Sequence, residues 1–365
     1  MSKQIKRMPT FLGYTGKIFA FIGTFLVVLL LTVYLMLQII CSASEASRNT
    51  FITTVLETGQ MKFLASLCLS DEEIEEVVRL NSMQTLQDTT VNEGMIAVPN
   101  QNNSQQNPNE NQQQSEEIEI IEIPGMTYKA TMMIVKNPAR VSLATISSGN
   151  DQWPANGKTL EQIITENNAI GGINGGLYDS TNNTGGRPYG VVVSNGQIMR
   201  NRPAEYPGLV LIGLTENNIL QIIDLKGISA AECETMIKEK KIRDAVCFQE
   251  EATVDNNHFV HLVINGVPRE ITGSGSGLNP RTAIGQRADG ALLILVTDGR
   301  GSNGHAGASA ADLIEIMTHY DAVNAANLDG GSSTCMYYDG AYLQNSVTFY
   351  YSQSSWKLPC AFIVN

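Results

Sequence analysis

Residues Ile18 to Ile40 form 23 consecutive positions without a charge, broken only by small or weakly polar residues such as Thr24 and Gln38. As a helix this run is roughly 35 Å long at ~1.5 Å per residue, enough to cross the hydrocarbon core of a bilayer. Lys3, Lys6, Arg7 and Lys17 precede it with no acid among them, while Glu45, Arg48, Glu57 and Lys62 after it nearly cancel. The basic excess places residues 1–17 in the cytoplasm, 18–40 in the membrane, and everything past Cys41 outside the cell. A cleaved signal peptide ending near Ser42-Ala43-Ser44 is the alternative. The run exceeds the ~7–15 residues of a usual signal core, which favours a single-pass anchor. Lipidation of Cys41 is disfavoured because Gln38-Ile39-Ile40 lacks the small residue that normally precedes a lipoprotein cysteine.

Such an anchor leaves the remaining chain to fold in an oxidising, aqueous space. Residues 41–96 read as a short helical stalk: Ser70 with Glu73 forms a capping box, and Ile74, Val77 and Val78 supply one apolar stripe. The expectation is a spacer, with self-association of the stalk as a further use. Between Asn100 and Gln114, 12 of 15 residues are Asn or Gln. A tract with so little to bury cannot offset its ordering entropy, so 97–115 reads as a disordered linker. That leaves 116–365 as one domain, long enough for a full core. The net charge of −12 lacks the basic footprint of a nucleic-acid binder, and that class is excluded.

Within the domain, four dipeptides sit between apolar runs: Asn195-Gly196, Asn265-Gly266, Asp289-Gly290 and Asp339-Gly340. Each tolerates the positive φ angles of a tight hairpin turn, so four β-hairpins are expected. Helical spacing appears at Thr159–Asn167, Ser229–Lys240 and Ser309–Tyr320. Strands outnumbering helices, with hairpins in place of regular βαβ units, predict an α+β fold around a mixed, largely antiparallel sheet with several flanking helices. Cys233, Cys247, Cys335 and Cys360 permit three disulfide pairings, but their spacing is unlike a zinc site and structural or free thiols are the expectation.

Three segments carry candidate chemistry. In Gly171-Gly172-Ile173-Asn174-Gly175-Gly176, four glycines in six positions let something approach the backbone closely, with Asn174 as the amide presented there. In Asn279-Pro280-Arg281-Thr282-Ala283, Arg281 follows a glycine-serine loop, and its planar guanidinium can grip phosphate or carboxylate by two parallel bonds. The third is a pair of strand ends, Asp298-Gly299-Arg300 and Asp329-Gly330-Gly331-Ser332-Ser333-Thr334. Two such aspartates can act as acid and base or nucleophile in glycosidic cleavage, or hold a divalent cation through oxygen ligands. For each motif taken singly, a structural turn or ion pair explains the residues as well. His305, in the loop from Gly299 to Gly307, is a candidate substrate contact. No cofactor is required by the pattern, and a divalent cation is the one it admits.

Together, and in this order, these segments resemble the phosphodiester glycosidase family, over roughly Ile163 to the C-terminus. The resemblance implies hydrolysis of a sugar-1-phosphodiester. It carries over Asn174, Arg281, Asp298 and Asp329 as the core of the site. Gly175, Gly176, Thr282, Gly299, Arg300, His305, Gly330, Gly331, Ser332 and Ser333 surround them as substrate contacts. Leu177 departs from the aromatic usual after the paired glycines. The implied partner is a glycan or envelope polymer with sugar-phosphodiester links, such as exopolysaccharide, steered by Arg187, Arg200 and Arg202. The competing reading is a non-catalytic glycan- or teichoic-acid-binding surface module. Two close acids repel when ionised, which pure binding does not need.

Overall fold

The computed structural model describes residues 11–58, 61–86, 88–98, 117–347 and 353–365. Nearly all of the Asn/Gln-rich tract and most of the basic N-terminal tail lie outside them. Seven α-helices are described: α1 (Phe11–Ala43), α2 (Glu45–Leu56), α3 (Phe63–Ser66), α4 (Asp71–Leu80), α5 (Leu160–Glu166), α6 (Ala230–Glu239) and α7 (Ala310–His319). The stretch of α1 from Gly16 to Ala43 is long and apolar enough to span a membrane, and its large side chains from Ile18 to Met36 stand exposed.

Among the described residues the domain has three larger antiparallel sheets and a two-stranded ribbon of Glu251–Ala252 with Asn257–His258. The largest has seven strands, in the order Ile118–Pro124, Lys129–Val135, Leu292–Thr297, Thr282–Arg287, Ala322–Asn327, His261–Ile264 and Val267–Pro268. A five-stranded sheet holds Gly171–Asn174 between Met336–Tyr338 and Cys360–Val364. A second five-stranded sheet is centred on Ile242–Gln249. Inward-facing residues of all three, among them Ile173, Val246, Ile284, Ile294 and Phe362, form one apolar core. The fold is therefore α+β, as the turn chemistry predicts.

All four expected hairpins form. Asn195-Gly196, Asn265-Gly266 and Asp339-Gly340 have positive φ at both residues. At the fourth turn only Gly290 does, and Asp289 instead accepts a bond from Ala291 N. Helices α5, α6 and α7 each begin in a capping box, from Thr159, Ser229 and Ser309 to the third residue on.

The region expected to stand clear as a stalk lies against the domain instead. Ile52, Val55 and Leu56 of α2 pack with Ile74, Val77 and Val78 of α4 and with Val254 of the domain. The Ser70–Glu73 capping box is present. Beyond it the chain stays in contact: Met83 bridges Ile271, Arg269 Nε donates to Gln84 O, and Ala97 N donates to Ala288 O. The apolar stripe of α4 is packed against α2. One disulfide joins Cys41, at the end of α1, to Cys68, a pair outside the four domain cysteines. Those four are buried free thiols.

Phe362 is fully buried on the strand between Gly171–Asn174 and Val141–Thr145. Phe362→Ala should cost about 3–5 kcal/mol of stability, read from denaturant melts of the full chain in detergent.

Candidate functional site

Antiparallel pairing in the large sheet sets the site. Thr282 pairs with Val296 and Ala283 with Asn327, so three strands present Arg281, Asp298 and Leu328-Asp329 at one end. Cross-links hold these ends level: Arg281 N donates to Thr297 Oγ1 (2.9 Å), and Leu328 N to Thr282 O (2.8 Å). From the neighbouring sheet Asn174, 1% exposed, reaches across. Its Nδ2 donates to Asp329 O (2.7 Å), and its Oδ1 accepts from Thr282 Oγ1 (2.9 Å) and Cys335 N (3.2 Å). Asn174 thus fastens the Asp329 loop, with both ends of its amide occupied.

Asp298 is 1% exposed and does not line the cleft directly. Its Oδ1 accepts from Lys129 N (2.7 Å), and its Oδ2 accepts from Asn303 Nδ2 (3.1 Å) and lies 2.7 Å from His305 Nδ1. A carboxylate oxygen accepts, so the tautomer that suits this contact carries its proton on Nδ1 and turns Nε2 outward. His305 is partly exposed and stands between Asp298 and solvent. The loop that brings it back is tight: Gly307 has φ 131°, and a Cβ there would lie 2.6 Å from the backbone of Asn279.

Asp329 is partly exposed but closely surrounded by protein. This desolvation pushes its carboxyl up to about 7, against the opposing effects of bonds from Ser333 and Gly330 N and the charge of Arg300. Ser333 Oγ also lies 3.1 Å from Tyr178 OH, whose own pKa is raised by burial.

The two arginines differ sharply. Arg281 is buried and its guanidinium is engaged: Nε donates to Ala308 O (3.1 Å), and Nη2 to Gly277 O (2.6 Å), Ser276 Oγ (3.1 Å) and Glu57 Oε2. It also stacks on Phe259, 4.9 Å from the ring centre. Glu57, at the C-terminus of α2, is likewise buried and accepts from Gly277 N (2.7 Å), Asn279 Nδ2 (3.1 Å) and Asn257 Nδ2 (3.2 Å). Arg300 stands at the mouth with only neutral partners: Nη1 donates to Ser332 Oγ (2.8 Å), while Nε and Nη2 donate to Asn279 Oδ1 (3.3 and 3.2 Å). Among the described residues it has no carboxylate within salt-bridge distance. Crowding by protein and the charge of Arg281 lower its pKa to about 10, which leaves it charged at neutral pH.

Other expected site residues fall elsewhere. Gly175 and Gly176 press against Cys360 and Cys247, so their lack of a side chain serves the contact between sheets. Gly330 and Gly331 carry the chain past Pro280 and beneath Arg300, and Gly299 lies against Gly307. Arg187, Arg200 and Arg202, expected to steer anions, are paired with Asp151 and Glu205 in a separate cluster. Among the described residues no group of three or more His, Cys, Asp or Glu is placed to hold a metal ion. Glu57 carried no signal in the sequence, since it precedes Arg281 by more than two hundred residues and belongs to no motif.

The family model for phosphodiester glycosidases matches residues 167–365, more than half of the chain. The chain belongs to the phosphodiester glycosidase family. The family is one of glycosidase-type hydrolases, and the Asn174, Arg281, Asp298 and Asp329 motifs all lie within the matched region. Among solved structures, the fold is similar to the catalytic domain of zebrafish N-acetylglucosamine-1-phosphodiester alpha-N-acetylglucosaminidase, a domain auto-inhibited by its pro-peptide. The TM-score is 0.51 at 18% identity, over 68% of this chain and 81% of that one. Among curated proteins, 67 residues are 42% identical to the SPbeta prophage-derived uncharacterized protein YomE of Bacillus subtilis (strain 168). That stretch is 18% of this chain, and the match spans 10% of the relative's length.

The raised carboxyl of Asp329 has a stability consequence. An unfolded aspartate titrates near 3.9, so as pH rises the unfolded chain loses its proton first. The stability from the protonated form is complete below about pH 4 and is lost as pH climbs towards 7. Asp329→Asn, which never ionises, should match the parent at pH 4 and exceed it at pH 8 by on the order of 1 kcal/mol in thermal melts.

Proposed function

We propose that this protein hydrolyses sugar-1-phosphodiesters on the outer side of a membrane to which α1 anchors it. The observation that carries the reading is Arg300, a charged guanidinium with no carboxylate within salt-bridge distance among the described residues, beside Asp329, whose carboxyl titrates near neutrality. An uncompensated cation next to a protonated acid suits a substrate that brings its own negative charge.

In this reading Arg300, with Ser332 and Asn279 fixing its plane, receives the phosphate. Asp329 donates its proton to the oxygen bridging phosphorus and the anomeric carbon. His305, oriented by Asp298, takes a proton from the attacking water through Nε2. As water adds to the anomeric carbon, the C1–O bond breaks and its electrons leave with the phosphate oxygen. The products are free sugar and a phosphate monoester, and exchange with solvent resets both groups. Arg281, held by Glu57, positions the Asn279–Thr282 segment. The zebrafish enzyme's name supplies N-acetylglucosamine as the first sugar to try.

The disulfide between Cys41 and Cys68 supports the outward placement, since such bonds persist in oxidising compartments. It also favours a retained anchor, because Cys41 lies within α1 itself.

The full chain in detergent should release N-acetylglucosamine from a synthetic N-acetylglucosamine-1-phosphodiester. Arg300→Gln should lower kcat/KM by on the order of a hundredfold, and Asp329→Asn should lower kcat by as much or more. With Asp329 as the acid, kcat/KM should fall as pH rises above about 7, and this limb should vanish in Asp329→Asn. Retained binding without sugar release, with and without chelator and across a panel of sugars, would make this a glycan-binding module instead.

A further inference from the structure

A groove of about 500 Å³ runs between α2 and the site loops, lined mainly by apolar surface. Its walls include Ala46, Thr50, Phe51 and Thr54 on α2 and Leu278 and Ala306 on the domain. Spacing at 46, 50 and 54 places three of these on one helical face. The size lies within the range of ligand-binding clefts.

Both ends of the groove are defined by chemistry. Its outer end begins at Ala46, three residues beyond Ala43, where the membrane-length helix stops. Its inner end touches the site: Ala306 follows His305 and accepts from Arg300 N, while Leu278 precedes Asn279, which holds the Arg300 guanidinium. Helix α2, with 12 residues, covers the interval in about 18 Å. This helix is not a loose tether. Leu278 N donates to Thr54 Oγ1 (2.9 Å), a Cβ on Gly277 would clash with the Thr54 backbone, and Glu57 locks the far end onto Arg281. The end of α1 is fixed in turn by the Cys41–Cys68 bond and by Gln38 Nε2 donating to Leu67 O (3.0 Å).

We propose that this groove holds the hydrocarbon tail of the substrate, a sugar 1-phosphate esterified to a single-chain lipid alcohol such as an isoprenoid. The inference rests on the hydrolase reading above and gives that reading its substrate class. The tail leaves the bilayer where α1 ends and runs along α2, bringing its phosphate to Arg300 and its sugar to Asp329 and His305. Hydrolysis by the step already described frees the sugar and returns the lipid phosphate monoester to the membrane. A site held within about 20 Å of the bilayer by a 12-residue helix acts on lipid-borne sugars, not on polymers far out in an envelope.

The test compares two substrates on the full chain in phospholipid vesicles: N-acetylglucosamine 1-phosphate esterified to a C20 isoprenoid alcohol, and the same sugar phosphate esterified to methanol. The expected kcat/KM is at least tenfold higher for the isoprenoid ester. Thr50→Trp, which fills the groove away from the catalytic groups, should remove that advantage and leave the methyl ester unchanged. Ala46→Trp at the outer end serves the same purpose if the first variant does not fold. Equal turnover of the two esters by the parent, or equal slowing of both by Thr50→Trp, would overturn the proposal. Retention of labelled C20 isoprenyl phosphate is measured in parallel and needs no hydrolysis. Binding by the parent that Thr50→Trp abolishes, with neither ester cleaved, would leave the groove assigned and remove the hydrolase reading. No retention of the isoprenyl phosphate would overturn the groove itself.

Discussion

The register between Thr282–Arg287 and its two neighbours decides where every reactive group lies. Because pairing is antiparallel on both sides, one strand begins where the other two end, and a residue just outside each strand meets the others. A slip of one position would turn each of these residues to the opposite face of the sheet. The register is therefore defended by apolar burial along all three strands. Ile284, Ile294 and Ala326 face one core, while Ala283, Leu295 and Ala325 face the other. The cleft inherits its rigidity from packing that has no chemistry of its own.

A buried ion pair adds a second constraint. Glu57 and Arg281 are each nearly sealed from solvent, and removal of one member of such a pair typically costs about 3–5 kcal/mol because the other charge is stranded. Here the stranded group would be the arginine on which the Asn279–Thr282 segment is built. The pair thus makes α2 part of the domain's architecture, although that helix lies outside the region matched to the family. A guanidinium engaged in this way has no donor face turned outward, unlike that of Arg300.

Local chemistry in the sequence was enough to read much of this fold. Turn dipeptides announced four hairpins, capping residues marked the helix starts, and an uncharged run marked the long apolar helix. Motif order was enough to bring Asn174, Arg281, Asp298 and Asp329 to one place. What each residue does there depended on partners far away in the chain. Arg281 reads as a phosphate grip until Glu57 is placed beside it, and Asp298 reads as a cleft acid until His305 is found covering it. The stalk misled for a related reason. Its apolar stripe is equally suited to a second copy or to the flank of its own domain, and periodicity alone carries no information about which surface will cover it.

The bond between Cys41 and Cys68 changes what proteolysis of this protein would accomplish. A peptidase cutting the short connection between α1 and α2, at Ala43-Ser44, would sever the chain but not the molecule. The hydrophobic helix would stay joined to the catalytic domain through sulfur. Separating the apolar helix from the domain would require two unrelated chemistries, peptide hydrolysis and thiol exchange, so their attachment survives the loss of either connection alone.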